Sequence, residues 1–230
     1  MLSREKNILA LVIYVIGMFI LPVVVILIVA AITGIDLIAA TREEQIYLTT
    51  VSSIISYGML TLSLLILTRN VFKQDFKKIG SWGNFAIQMV LGVLCTYAAA
   101  VMGAQLVQFF GTNDPAANQV AIEAAINAIP FGMILVAVIF APISEEIIFR
   151  LVLMKWFNWK PVYHILFSSF AFGLMHVLVG GLLHIIPYFL MGLVFGIIYH
   201  KNDNIWHATV LHMLHNGLSV VMLFMLQGML

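Results

Sequence analysis

The sequence predicts an all-α membrane protein: a polytopic bundle of about seven transmembrane helices with a cytoplasmic N-terminus. Composition, the length of the apolar runs and the distribution of charge support this fold class. Of the 230 residues, 63% are hydrophobic and 9% are charged, whereas about 25% of a soluble domain is charged. The composition therefore excludes a soluble protein, and the net charge of +1 gives no reason to expect a nucleic-acid partner.

The predicted spans follow from run length, because a hydrocarbon core of about 30 Å needs roughly 20 apolar helical residues. Seven runs meet or approach that length: 7–32, 47–68, 85–110, 131–157, 162–179, 182–199 and 205–226. The first run is longer than the apolar core of a signal peptide, about 7–15 residues, and is expected to be a retained span. No soluble segment of domain size interrupts the runs, so residues 1–230 are expected to form one membrane-embedded domain.

Basic residues set the orientation, because cytoplasmic loops carry an excess of Lys and Arg. One side of the predicted bundle holds Arg4, Lys6, Arg69, Lys73, Lys77, Lys78, Lys155, Lys160 and Lys201. The other side holds Arg42 and the acidic residues Asp36, Glu43, Glu44, Asp114 and Glu123. This asymmetry predicts a cytoplasmic N-terminus.

Some shorter features bear on packing. The segment Phe72–Trp82 alternates apolar and basic residues, which suits an interfacial helix or an ordinary cytoplasmic loop. Gly192 and Gly196 form a GxxxG pair that predicts close approach of a neighbouring helix within the bundle. Cys95 is the one cysteine of the chain, so no disulfide framework can form within it.

Three ionisable residues lie inside the fourth apolar run: Glu145, Glu146 and Arg150. Each costs about 2.5–3.5 kcal/mol at mid-helix on the insertion scale, so such residues mark a functional site. Glu146 and Arg150 are four residues apart and can pair on one helix face. Glu145 then points about 100° away, without a local partner. Pro142, three residues before it, is expected to open the helix near the site.

Other polar residues are expected in the same layer of the membrane. At about 1.5 Å per residue from the predicted cytoplasmic ends, Glu145 lies roughly 18 Å deep, His176 roughly 21 Å, His212 roughly 12 Å and Asn216 roughly 18 Å. Phe172 and His176 are four residues apart, as are His212 and Asn216. Three helices would thus each present two successive turns to a common cavity.

Three motifs occur in order: Glu145-Glu146-Ile-Ile-Phe-Arg150, Phe172-Gly-Leu-Met-His176 and His212-Met-Leu-His-Asn216. They resemble the EExxxR, FxxxH and HxxxN motifs of the CPBP (CAAX protease and bacteriocin-processing, or Abi) intramembrane endopeptidases. The region that carries the resemblance, residues 130–220, is the expected catalytic core. Leu151 departs from the family pattern, which often has glycine after the arginine.

The resemblance implies roles for these residues. Glu145 would activate the water together with His176, while His212 and Asn216 would stabilise the oxyanion. Glu146, Arg150 and Phe172 would support the site. A metal alternative stays open, because Glu145, His176 and His212 offer a donor set that suits Zn²⁺ with one position left for water. The HExxH helix of zinc proteases is absent from the sequence, and we expect the metal-independent mechanism, which requires no cofactor.

The sequence therefore predicts an intramembrane endopeptidase in a bacterial plasma membrane, with its site open to the cytoplasmic side. By resemblance, its substrates would be prenylated tails, bacteriocin leaders or peptide pheromone precursors, and its surroundings the lipid bilayer. The oligomeric state is left open. The alternative is a non-catalytic immunity or regulatory binding protein of the same fold, and a small transporter is disfavoured because no internal repeat is found.

Overall fold

Helices make up the fold of the computed structural model, which describes residues 2–111, 114–178, 180–226 and 228; this part of the chain contains no strand. The helices are α1 (Arg4–Thr33), α2 (Arg42–Lys77), α3 (Trp82–Phe109), α4 (Ala117–Ala128), α5 (Pro130–Lys155), α6 (Pro161–His176), α7 (Ile185–Asn202) and α8 (Ile205–Leu226). The predicted all-α class is confirmed.

Capping residues define the first helices. The Ser3 hydroxyl accepts from the backbone N–H of Lys6 at 3.4 Å and begins α1. Gly34 ends α1 with a φ of 74°, a left-handed conformation that glycine adopts without steric cost. Thr41 and Glu44 form a capping box at the start of α2, each side chain accepting from the other's backbone N–H.

Six helical stretches of the described chain are long and apolar enough to cross a membrane: Arg4–Thr33, Arg42–Lys77, Trp82–Phe109, Pro130–Lys155, Leu182–Asn202 and Ile205–Leu226. They correspond to six of the seven predicted runs. The remaining run, 162–179, corresponds to α6, whose 16 residues extend about 24 Å. The last residue of that run, Val179, lies outside the described residues. The number of crossings and the orientation of the N-terminus stay predictions.

The segment Phe72–Trp82 forms neither a separate interfacial helix nor a plain loop, because α2 continues to Lys77 and α3 begins at Trp82. The end of α2 instead packs against the start of α8. The Asp75 carboxylate accepts from the backbone N–H of Ile205 at 3.1 Å, and the Trp206 indole donates to the Phe72 carbonyl at 2.8 Å. Asp75 thus satisfies one of the open N–H groups of α8.

Helix α5 runs through the middle of the bundle. Its residues from Ser144 to Val152 are all at most 6% exposed, so this stretch is covered on every side rather than on one face. Helices α1, α2, α6 and α8 pack around it. The three ionisable residues of the sequence analysis are therefore enclosed by protein and not by lipid.

Helices α6 and α7 lie close together, as the glycine pair predicts. A methyl group at Gly192 would lie 3.1 Å from the Ser169 Cα, and one at Gly196 would lie 3.2 Å from an Ile165 side-chain carbon. Both neighbours belong to α6, so the GxxxG pair serves packing inside the bundle.

Candidate active site

Two wide turns of α5 position the carboxylates. Residues Val136–Phe140 and Ile147–Val152 are π-helical, and Ala141–Glu146 between them is α-helical. Pro142 has no N–H to donate and its ring crowds the carbonyl four residues earlier, which accounts for the first wide turn. The Phe140 carbonyl accepts from the hydroxyls of Thr61 on α2 and Ser144, each at 2.9 Å. The predicted opening of the helix near Pro142 is present.

Glu146 and Arg150 form the expected ion pair. The Arg150 Nε donates to Glu146 Oε2 at 2.9 Å, and both side chains are fully buried. Arg150 Nη1 also donates to the hydroxyl of Ser168 on α6, which in turn donates to the Phe149 carbonyl at 2.7 Å. The guanidinium lies 5.6 Å from the centre of the Phe172 ring. The buried charge of Arg150 is therefore neutralised and hydrogen-bonded at Nε and Nη1, whereas its buried Nη2 has no hydrogen-bond partner among the described residues.

His212 on α8 lies between the two carboxylates. Its Nδ1 is 3.0 Å from Glu146 Oε1, within hydrogen-bond distance, and its Nε2 is 3.9 Å from Glu145 Oε2. Phe195 of α7 stacks on the imidazole at a centroid distance of 4.5 Å and an angle of 22°. The ring is thus held in orientation by a carboxylate at one nitrogen and by an aromatic face.

His176 is the last residue of α6 and faces the same carboxylate. Its Nδ1 is 2.8 Å from the Phe172 carbonyl, and its Nε2 is 3.8 Å from Glu145 Oε2. The Phe172 ring lies 4.4 Å from the imidazole on one side, and Tyr188 of α7 stacks on it at 4.4 Å. Phe172 therefore supports His176 through its carbonyl and its ring.

The tautomers of the two histidines follow from these partners. A carbonyl and a carboxylate only accept hydrogen bonds, so Nδ1 carries the proton in His176 and in His212. In neutral imidazoles, each Nε2 is then an acceptor, and both point at the Glu145 carboxylate. Both Nε2 atoms lie near the same acceptor, Glu145 Oε2, at 3.8 and 3.9 Å, and these separations are too long for direct hydrogen bonds. A donor placed between them, such as one water molecule, satisfies this geometry.

Asn216 lies one helical turn beyond His212. Its Nδ2 donates to the Ala137 carbonyl at 2.8 Å, inside the first π-helical turn of α5. This bond ties α8 to the wide turn ahead of Glu145, and the amide retains a second N–H. The neighbouring His215 points elsewhere, with its Nδ1 3.0 Å from the Thr96 hydroxyl of α3.

The fit to a metal ion is incomplete. Two ligands at about 2.0–2.1 Å from a tetrahedral Zn²⁺ are about 3.3 Å apart, whereas Glu145 Oε2 lies 3.8 Å from His176 and 3.9 Å from His212. Within the described residues, no group of three His, Cys, Asp or Glu side chains is close enough to hold an ion. We therefore assign no step to a metal.

Sequence reasoning missed three side chains that shape the site: Ser168, Tyr188 and Phe195. Ser168 lies four residues before Phe172 and so shares its helix face. The same four-residue spacing that links Phe172 and His176 could therefore have identified Ser168 as a site residue. Tyr188 and Phe195 are seven residues apart, two turns along α7, and stack on His176 and His212. The bond between Glu146 and His212 was also not predicted.

Residues 127–218 match the family model described as Type II CAAX prenyl endopeptidase Rce1-like. This segment contains all three motifs, and the match confirms the family resemblance that they carry.

Two bacterial proteins are similar over a longer range. The chain is 27% identical to "Putative membrane peptidase YdiL" of Bacillus subtilis (strain 168) over 188 residues, which cover 79% of this chain and 75% of that protein. It is 29% identical to "UPF0177 protein YajF" of Lactococcus lactis subsp. lactis (strain IL1403) over 150 residues, or 64% of this chain and 71% of that protein. No solved structure matches the chain significantly.

Proposed function

We propose that this multi-pass membrane protein is an intramembrane endopeptidase of the bacterial plasma membrane, which hydrolyses a peptide bond with water activated by Glu145. The match to a CAAX prenyl endopeptidase family and the similarity to a protein named a membrane peptidase support the class of reaction. One observation carries the proposal: the Nε2 atoms of His176 and His212 lie 3.8 and 3.9 Å from the same oxygen, Glu145 Oε2.

A water molecule between Glu145 Oε2 and one of these nitrogens would donate one hydrogen bond to Glu145 and one to the histidine Nε2. Glu145 is 6% exposed, so its carboxylate acts in surroundings where electrostatic interactions are stronger than in water. Glu145 takes a proton from the water as the water oxygen bonds to the substrate carbonyl carbon. The same proton then passes to the amide nitrogen, and the C–N bond breaks.

The developing oxyanion needs hydrogen-bond donors. Asn216 has one N–H beyond the bond to Ala137 and can supply it. His212 donates from Nε2 when it carries a second proton, taken from solvent before the water attacks. The water then hydrogen-bonds Nε2 of His176, and the Glu146 carboxylate at His212 Nδ1 stabilises the imidazolium, as a buried aspartate does in serine proteases. Glu146 in turn is held by Arg150, so the ion pair acts through His212.

The test compares peptide termini in membrane and secreted fractions of cells carrying the wild-type protein or Glu145→Gln. Glutamine keeps the size of the side chain and removes its basicity. The matched control is Glu123→Gln on α4, the same substitution on a side chain that hydrogen-bonds Gln119 at the surface.

New termini are expected with the wild type and with Glu123→Gln and are expected to be missing with Glu145→Gln. If all three strains, at equal expression, show the same termini as cells that lack the protein, the proposal is contradicted and the non-catalytic binding protein is favoured. Termini that persist with Glu145→Gln would remove Glu145 from its role as the base.

A further inference from the structure

The exposure of the site residues shows from which direction the site can be reached. The exposed fraction of the side chain falls from 17% in His176 to 8% in Glu145, 4% in His212 and zero in Glu146 and Arg150. On α5, the exposed fraction falls from Glu145 to Glu146 and Arg150, toward the C-terminal end of the helix. The site is therefore least covered beside His176 and closed beyond Glu146.

The helices around the site show the same gradient. In α5, every residue from Ile147 to Val152 is buried, whereas most residues of 134–141, toward its beginning, are half-buried. In α7, all residues of 185–191 are half-buried, and most of those from 192 to 199 are buried. The bundle is thus tightly packed on the side of the α5 C-terminus and looser on the side where α5 begins.

Helix α6 ends at the site itself. His176 is its last residue, and the chain leaves the helix through Val177 and Leu178, which is 53% exposed. Neighbouring α7 begins at Ile185 and brings Tyr188 onto the outer face of His176. On this side, the wall of the site consists of a turn and the first residues of α7 instead of a continuous helix.

The charge distribution assigns a side of the membrane to this opening. The tightly packed end of α5 leads into the segment with Lys155 and Lys160, on the side that holds nine of the chain's basic residues. The opening faces the other side, where Arg42 is the basic residue. Because basic loops are cytoplasmic, the predicted topology puts the opening on the extracytoplasmic side, whereas the sequence alone led us to expect access from the cytoplasm.

We propose that substrate reaches Glu145 from the extracytoplasmic face, past Tyr188 and His176. The substrate class is a peptide segment presented from that face, either an exported peptide or the outer part of a membrane protein. This inference rests on the proposed function for the identity of the substrate. The direction of access rests on burial and charge alone and can be tested without catalysis.

The experiment measures labelling of single cysteines in intact spheroplasts by a positively charged, membrane-impermeant methanethiosulfonate. Cys95→Ala removes the native thiol. Leu178→Cys probes the turn after α6, and Tyr188→Cys probes the path to His176. The matched control is Asn158→Cys, an exposed position in the segment between α5 and α6, on the predicted cytoplasmic side. Each variant is also prepared with Glu145→Gln.

Leu178→Cys and Tyr188→Cys are expected to be labelled in intact spheroplasts, and Asn158→Cys only after the membrane is permeabilised. The reverse pattern would overturn the proposal by inverting the topology. Labelling of Leu178→Cys but of neither Tyr188→Cys nor Ile185→Cys would overturn the proposed path past Tyr188. Ile185 is also half-buried and lies one turn before Tyr188, so a local defect caused by replacing Tyr188 would not be mistaken for a closed path. Because labelling does not need catalysis, the Glu145→Gln versions should label identically even if no proteolysis is found.

Discussion

The buried ion pair of α5 allows a quantitative prediction for Arg150→Met, which keeps most of the side-chain volume and removes the charge. The substitution leaves Glu146 fully buried without its 2.9 Å partner and also removes the bond to Ser168. Breaking a buried pair in this way costs about 3–5 kcal/mol. This corresponds to roughly two to three and a half orders of magnitude in the unfolding equilibrium.

The matched control lies on the same helix. Lys155 pairs with Asp203 at 2.6 Å, with side chains that are 26% and 77% exposed. An exposed pair of this kind contributes about 0–1 kcal/mol, so Lys155→Met should change stability little. Two ion pairs of similar length are thereby expected to differ several-fold in energy because of burial alone.

The assay is denaturant unfolding of the purified variants in detergent micelles, followed by tryptophan fluorescence and helical circular dichroism. The single variant Glu146→Gln and the double variant Arg150→Met with Glu146→Gln complete a double-mutant cycle. The double variant should lose less stability than Arg150→Met alone, because no unpaired charge remains buried. Equal, small losses for Arg150→Met and Lys155→Met would refute the reasoning, as would a double variant whose loss equals the sum of the single losses.

Three further outcomes are expected. Pro142→Ala should restore an N–H to α5 and turn Glu145 away from the histidines. Proteolysis should fall, whereas stability in thermal unfolding should be unchanged or higher; full activity would contradict the role of the wide turn. Gly192→Ala should destabilise by about 1–3 kcal/mol because its methyl group would meet the Ser169 backbone at 3.1 Å, whereas Gly58→Ala, with its nearest neighbour at 3.7 Å, should gain about 0.5–1 kcal/mol. A strong chelator should leave peptide cleavage unchanged, and loss of cleavage that Zn²⁺ restores would replace the metal-free mechanism.

The sequence predicts those parts of the site that depend on spacing along a helix. Glu146 and Arg150 pair as their four-residue separation indicates, and the motif histidines meet the carboxylate layer from two other helices. These predictions succeed because side chains four residues apart share a face whatever surrounds the helix. The apolar runs locate six long helices for a similar reason, since membrane thickness sets their length.

The contacts that depend on rotation about a helix axis were not predictable. Two π-helical turns in α5 change the direction of every side chain that follows them, and a period of 3.6 residues does not contain that shift. The partner of His212 Nδ1 could therefore not be chosen between Glu145 and Glu146 from spacing. The direction of access to the site could not be chosen from spacing either, because it depends on where α6 ends relative to α7; the extracytoplasmic access stays a proposal.

The short helix α6 also has a consequence for the surrounding lipid. At about 24 Å, it is about 6 Å shorter than a typical hydrocarbon core, and its lipid-facing side carries the exposed residues Phe167, Phe170 and Leu174. A bilayer accommodates such hydrophobic mismatch by becoming thinner next to the protein. Head groups and water would then come down toward His176, so that turnover in vesicles of lipids with shorter acyl chains should exceed turnover in vesicles of longer ones.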